Sequence, residues 1–177
     1  MRTTLRCLVG GCVALLAMPL AAQQPPMPKP GPEHEQLKQK FVGDWDVTVS
    51  FEGGQSKATA TYKMDLGGFW LTEDFNGEFG GQKFTGRATV GYDPLKKKYV
   101  STWVDSMSPS LIIMEGVFDK DGKTFTETGE GPGMDGKPAK LKNVYEFVDK
   151  DTLLFTMYSV KDGKDQQMMK ITYKRKK

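Results

Sequence analysis

From Trp45 onward, apolar side chains recur at every second position, the spacing of strands that bury one face. Trp45, Val47, Val49 and Phe51 alternate with Asp46, Thr48 and Ser50, and Ala58, Ala60, Tyr62, Met64 and Leu66 alternate with Thr59, Thr61, Lys63 and Asp65. The runs 69–76, 84–92, 99–106, 111–118, 124–129, 140–148, 152–160 and 167–175 follow, divided by clusters of Gly, Pro, Asp and Lys. Asp121-Gly122 and Asp162-Gly163 are pairs that accept the positive φ of type I′ hairpin turns. The pattern predicts ten short antiparallel strands in chain order. An open sheet that wide would leave long unpaired edges, so an all-β, up-and-down barrel is expected.

Ahead of the strands the period changes. Leu37 and Phe41 lie four apart among polar residues, which predicts one short helix over 33–40 that caps the barrel. Residues 23–32, QQPPMPKPGP, carry five prolines and read as a linker, because proline neither continues a helix nor joins a sheet interior. Residues 33–177 then form a single domain.

Composition agrees with this: 177 residues include 20 Gly and 10 Pro, many turns for one compact chain. The formal net charge of +3 calls for neither nucleic acid nor a solvating tail. At the N-terminus, Arg2 and Arg6 precede an apolar stretch from Cys7 to Leu20 and then Ala21-Ala22, the three parts of a secretory signal. That stretch is 14 residues, short of the roughly 20 needed to span a bilayer. Cleavage after Ala22 is expected, giving a periplasmic or extracellular protein. Both cysteines, Cys7 and Cys12, leave with the signal, so the mature domain holds together by its core without disulfides.

The candidate chemistry is sparse. His34, the one histidine, lies outside every strand, which leaves no histidine for a catalytic triad or for a haem held from the barrel wall. No cofactor and no metal are expected. Gly131–Gly136 matches Gly-x-Gly-x-x-Gly literally but leads into a strand rather than a helix, and reads as a long flexible loop. The informative residues are polar ones within strands: Glu73, Arg87, Asp105, Glu115 and Glu127. Alternation leaves their face open where both parities are apolar, and such acids more commonly face water. If Trp103 points inward, so does Asp105 two residues on.

Phe41-Val42-Gly43-Asp44-Trp45 resembles the Gly-x-Trp opening of lipocalins and the Phe-x-Gly-x-Trp form of fatty-acid-binding proteins. The resemblance implies that Trp45 closes the barrel floor and that Arg175 of the last strand packs on it. Gly67-Gly68-Phe69-Trp70-Leu71, Gly91-Tyr92-Asp93 and the run Lys97–Met107, with Pro32-Glu33-His34, resemble the bacterial family called domain of unknown function 1579 over about residues 32–175. That implies a lipocalin-like barrel, often exported, with no established activity.

The expected function is binding of a small apolar or amphipathic ligand in the lumen, because ten strands enclose more space than the eight that side chains just fill. Trp103, Tyr145, Phe155 and Met157 are the expected walls, with Phe147 nearby, and Asp105 the polar anchor. Gly43, Trp45 and Arg175 are the expected closure. Two alternatives stand beside it: an isomerase or lyase using Glu73, Asp105 or Glu115 as base, and a filled barrel serving as an interaction module of the cell envelope.

Overall fold

The computed structural model describes residues 27–51, 53–133 and 135–177. The expected signal over 1–22, with Cys7 and Cys12, and the start of the linker lie outside these residues. Helix α1 spans Pro32–Phe41. Ten strands follow: β1 (Gly43–Phe51), β2 (Gly54–Asp65), β3 (Trp70–Phe79), β4 (Gln82–Asp93), β5 (Lys98–Asp105), β6 (Ser108–Phe118), β7 (Thr124–Pro132), β8 (Pro138–Asp149), β9 (Thr152–Lys161) and β10 (Lys164–Arg175). Each pairs antiparallel with its neighbour in the chain, and β1 pairs with β10 from Trp45↔Arg175 to Ser50↔Lys170 to close the barrel. The expected ten-stranded up-and-down architecture is the one observed. Among the described residues, no helix is long and apolar enough to cross a membrane.

Most strands run past the apolar segment that announced them, because the ladder of backbone hydrogen bonds continues into their polar ends. The glycine-rich stretch shows this best. Strands β7 and β8 extend through Pro132 and from Pro138, so the expected long loop is a tight turn in which Gly133 N–H donates to Lys137 O at 2.7 Å. Asp162 and Gly163 both have positive φ, 52° and 72°, as a type I′ turn requires. Asp121-Gly122 does not form that turn: only Gly122 has positive φ, 66°, and its N–H donates to Asp119 O across a longer connection. The carboxylates of Asp119 and Asp121 both accept from Lys123 N–H, which holds the longer form.

Helix α1 plugs one end. Pro32 starts it, Glu33 and Glu35 lie at the positive N-terminal end of its dipole, and Lys38 and Lys40 lie at the negative end. His34 has a local job, with Nδ1 accepting from Gly31 N–H at 3.0 Å and its ring edge-on to Phe69. Leu37 and Phe41 are buried against the barrel. The Phe41 ring lies 5.1 Å from Phe147, 5.5 Å from Tyr62 and 5.7 Å from Tyr145, so the plug and floor form one aromatic layer.

The seam between β1 and β10 is locked to this plug. Arg175 stacks its guanidinium 4.1 Å from the Trp45 ring centroid, a cation–π contact. Its nitrogens donate to the carbonyls of Lys40, Val42 and Lys150, while Trp45 Nε1 donates to Phe41 O at 2.9 Å. Gly43 has φ 139°, and a Cβ there would run into Arg175 Nη1. Gly43→Ala is therefore expected to cost about 2 kcal/mol through backbone strain and displacement of the guanidinium. Urea unfolding of wild type and variant, compared at equal m-value, measures this loss.

Candidate functional site in the barrel interior

The register decides which side chains face the lumen. On β3 these are Leu71, Glu73 and Phe75; β4 sets Ala88 and Gly86 opposite the last two, and β5 sets Trp103 and Asp105 opposite those in turn. On the far wall, Phe125 and Glu127 of β7 face Tyr145 and Asn143 of β8, which face Phe155 and Met157 of β9. All five residues expected to line a ligand site are thus inward. They do not share one level: Tyr145 joins the aromatic floor, whereas Trp103 lies toward the end away from α1, with Phe84 and Phe75 at 6.4 and 6.3 Å. Gly86 makes room for the Trp103 ring, which occupies the space of the missing Cβ.

The strand acids divide between the two faces. Glu115 is outside, gripped by Lys96 at 2.6 Å and Lys98 at 3.0 Å, which hold its carboxyl below the usual range. Arg87 is outside too, paired with Asp74 at 2.8 Å. Asp105 points inward, but Oδ2 accepts from Trp103 Nε1 at 2.9 Å and Oδ1 from the N–H groups of Met107 and Ser108. Its oxygens thus fasten the β5–β6 turn and the indole. The general expectation that strand acids face water fails for Glu73 and Glu127, which are buried, 6% and 2% exposed.

These two form the core of a polar cluster at mid-barrel. Glu73 sits opposite Tyr62 in register, and Tyr173 Oη lies 3.5 Å from its Oε1. Glu127 sits opposite Asn143, with Ser101 and Tyr145 around its carboxyl. Gly116 leaves the space that Glu127 occupies, since a Cβ there would come within 2.8 Å of Glu127 Cγ. Asn143 Nδ2 donates to Met114 Sδ at 3.0 Å. Asn143, Tyr62, Tyr173 and Ser101 were not singled out from the sequence. Parity carried a signal for Asn143, which shares the side of Leu141, Tyr145 and Phe147, opposite Lys140, Lys142 and Glu146. Among the described residues there is no group of three His, Cys, Asp or Glu side chains placed to hold a metal ion.

A model of the family described as "Protein of unknown function (DUF1579)" matches residues 29–175. The chain belongs to this family. No curated protein matches it. Among solved structures, the DUF1579 barrel is similar to the S-type phycobiliprotein lyase CPES from Guillardia theta, with 13% identity, 81% of this chain and 92% of that one covered, and a TM-score of 0.53. It is similar also to a de novo designed fluorescence-activating β-barrel, with 14% identity, coverage of 80% and 98%, and a TM-score of 0.45. A redesigned β-barrel bound to DFHBI gives 14% identity, coverage of 77% and 100%, and a TM-score of 0.41. At such identities the likeness is one of fold, a closed barrel of lipocalin-like architecture.

Electrostatics set the DUF1579 interior apart from an ordinary core. Burial raises the Glu73 carboxyl to about 7; hydrogen bonds from Tyr62 and Tyr173 oppose the rise, and the charges of Glu127 and Asp74 add to it. Burial likewise raises Glu127, opposed by Ser101, Asn143 and Tyr145. Tyr62, Tyr145 and Tyr173 are pushed well above the ordinary phenol range, chiefly by burial, and remain hydroxyl donors. A carboxyl raised on folding stabilises the protein most below its unfolded value. That stability is lost as pH rises through the folded value. The free protein is therefore expected to lose stability between about pH 4.5 and about 7, with Glu73 contributing on the order of 3 kcal/mol. Glu73→Gln should remove that part of the slope and be the more stable form at about pH 8, as denaturant unfolding across this range will measure.

Proposed function

We propose that this DUF1579 protein is exported and holds a small apolar or amphipathic molecule inside its barrel. Export is supported by Arg2, Arg6, the apolar stretch to Leu20 and Ala21-Ala22. Binding is supported above all by the polarity of the interior. Away from α1, the lumen is aromatic and sulfur-rich, with Phe79 packed 4.9 Å from Phe84, Phe84 stacked toward Trp103, and Met157 and Met169 on the facing wall. Deeper, it ends at the buried Glu73 and Glu127. An apolar wall converging on a few polar groups is the usual composition of a small-molecule site.

The end opposite the helix is the entrance in this reading. Phe51 there is 41% exposed, and a cleft of about 630 Å³ lies along the outer wall of β3, β4 and β5, over Asp74, Arg87 and Val104, and borders Asp105. The phycobiliprotein lyase shares the fold.

A second reading is favoured by one observation: Glu73 titrates near neutrality beneath two tyrosine hydroxyls, as a general base in an isomerase or lyase would. Recovery of a bound molecule chemically unchanged after incubation favours binding; conversion that Glu73→Gln abolishes favours chemistry.

Trp103 supplies the test of the wall. With Nile red as a neutral apolar probe, Trp103→Ala is expected to weaken binding about five-fold, the value of one aromatic contact of about 1 kcal/mol. The fluorescence titration would contradict the assignment if the variant bound the dye as wild type does.

A further inference from the structure

Glu127 Oε1 and Asn143 Oδ1 are buried without a hydrogen-bond partner. They belong to residues that face each other across β7 and β8, 2% and 8% exposed. A buried acceptor left alone costs about 1–3 kcal/mol, and native interiors leave few of them. The amide nitrogen of Asn143 is turned to Met114, and Ser101 and Tyr145 are the hydroxyls beside the Glu127 carboxyl; both open acceptors are available to donors that enter the lumen.

The charge at this level narrows what brings them. Glu73 stands on β3, near enough for Glu127 to disfavour its ionisation. Among the described inward positions between the Trp45–Arg175 pair and the far rim there is no Lys, Arg or His. Two carboxyls therefore share an interior with no cation of its own, so burial favours their protonated forms and ionisation of both is costly unless something positive joins them. A carboxylate or phosphate head would be repelled. An alcohol carries one donor and no charge. An ammonium carries three donors on one atom, enough for both open acceptors, and one positive charge, opposite in sign to the carboxylates.

We propose that the seat at Glu127, Asn143 and Glu73 takes the protonated amine of an amphipathic ligand whose apolar body lies toward Trp103 and Phe84. The inference rests on the lumen-binding reading and names the chemical class of its occupant. Ammonium binding favours the ionised state of both carboxyls. The groups that face Glu73 are Tyr62 from β2, Tyr173 from β10 and Glu127 from β7, with Asp74 beside it in β3; Tyr145 from β8 faces Glu127. None of the tyrosines titrates near neutrality, so affinity for an amine should rise as Glu73 loses its proton, at about 7.

Isothermal titration of the purified mature protein with n-octylamine, n-octanol and octanoate tests this. At about pH 8 the amine is expected to bind at least about ten-fold tighter than the alcohol, octanoate weakest of the three, and the preference should collapse at about pH 5.5. Glu127→Gln should lower the ratio of amine to alcohol affinity at about pH 8 by at least about ten-fold; if that variant does not fold, the pH comparison on wild type decides. Equal affinity for amine and alcohol at both pH values, with octanol binding still sensitive to Trp103→Ala, would overturn the ammonium seat alone. If none of the three binds, the lumen-binding reading falls with it.

Discussion

A ring of ten strands has no free edge only if its first and last strands meet, and here that meeting rests on Arg175 lying across Trp45. The same guanidinium ties down the carbonyls that end α1, so sheet closure and plug are one event rather than two. The consequence reaches the site. Tyr173 is the inward neighbour of Val47 across this seam, and Tyr62 pairs with Gly43 on the other side of β1. Closing the ring therefore places both tyrosines, and through them the hydroxyls that face Glu73.

The interior departs from what stability alone would select. Replacing a buried carboxyl by an apolar side chain of similar volume is commonly neutral or stabilising, because the desolvation of the charge disappears. Glu73 and Glu127 are buried nonetheless, on nearly opposite walls of the ring, while the wall is recessed at Gly116 to admit one of them. Groups with strongly shifted ionisation, set in a concave interior, mark functional sites more often than structural ones. The hairpin-bound Asp105 and the lysine-bound Glu115 show what purely structural carboxylates look like in the same chain, each with its oxygens engaged and neither left unpaired.

Alternation made the strands legible, because a period of two persists wherever one face meets water. It was ambiguous on β3, where Trp70 competes with Leu71: the indole lies on the outer wall over Gly91, filling a place a Cβ would take. Outer Val104, Leu111 and Ile113, all exposed, blur β5 and β6 in the same way. Glu127 was readable in principle, since it shares parity with Phe125, the one large apolar residue of its strand. What parity cannot reveal is which inward polar groups meet. The convergence of Glu73 and Glu127 depends on how ten registers add around the ring, and no local stretch of sequence contains that sum. The turns at Asp121 and Gly133 were misread because turn chemistry marks a reversal but not its length.

The central proposal is that the protein is exported and that its lumen is an occupied binding site. Native mass spectrometry of the chain purified gently from its own exporting cells tests it directly, followed by solvent extraction of whatever dissociates. The account predicts a chain beginning at Gln23 that carries one small molecule in stoichiometric amount, an amine with an apolar body. A mature chain that repeatedly arrives at its bare mass, with nothing recovered in the extract, would contradict it.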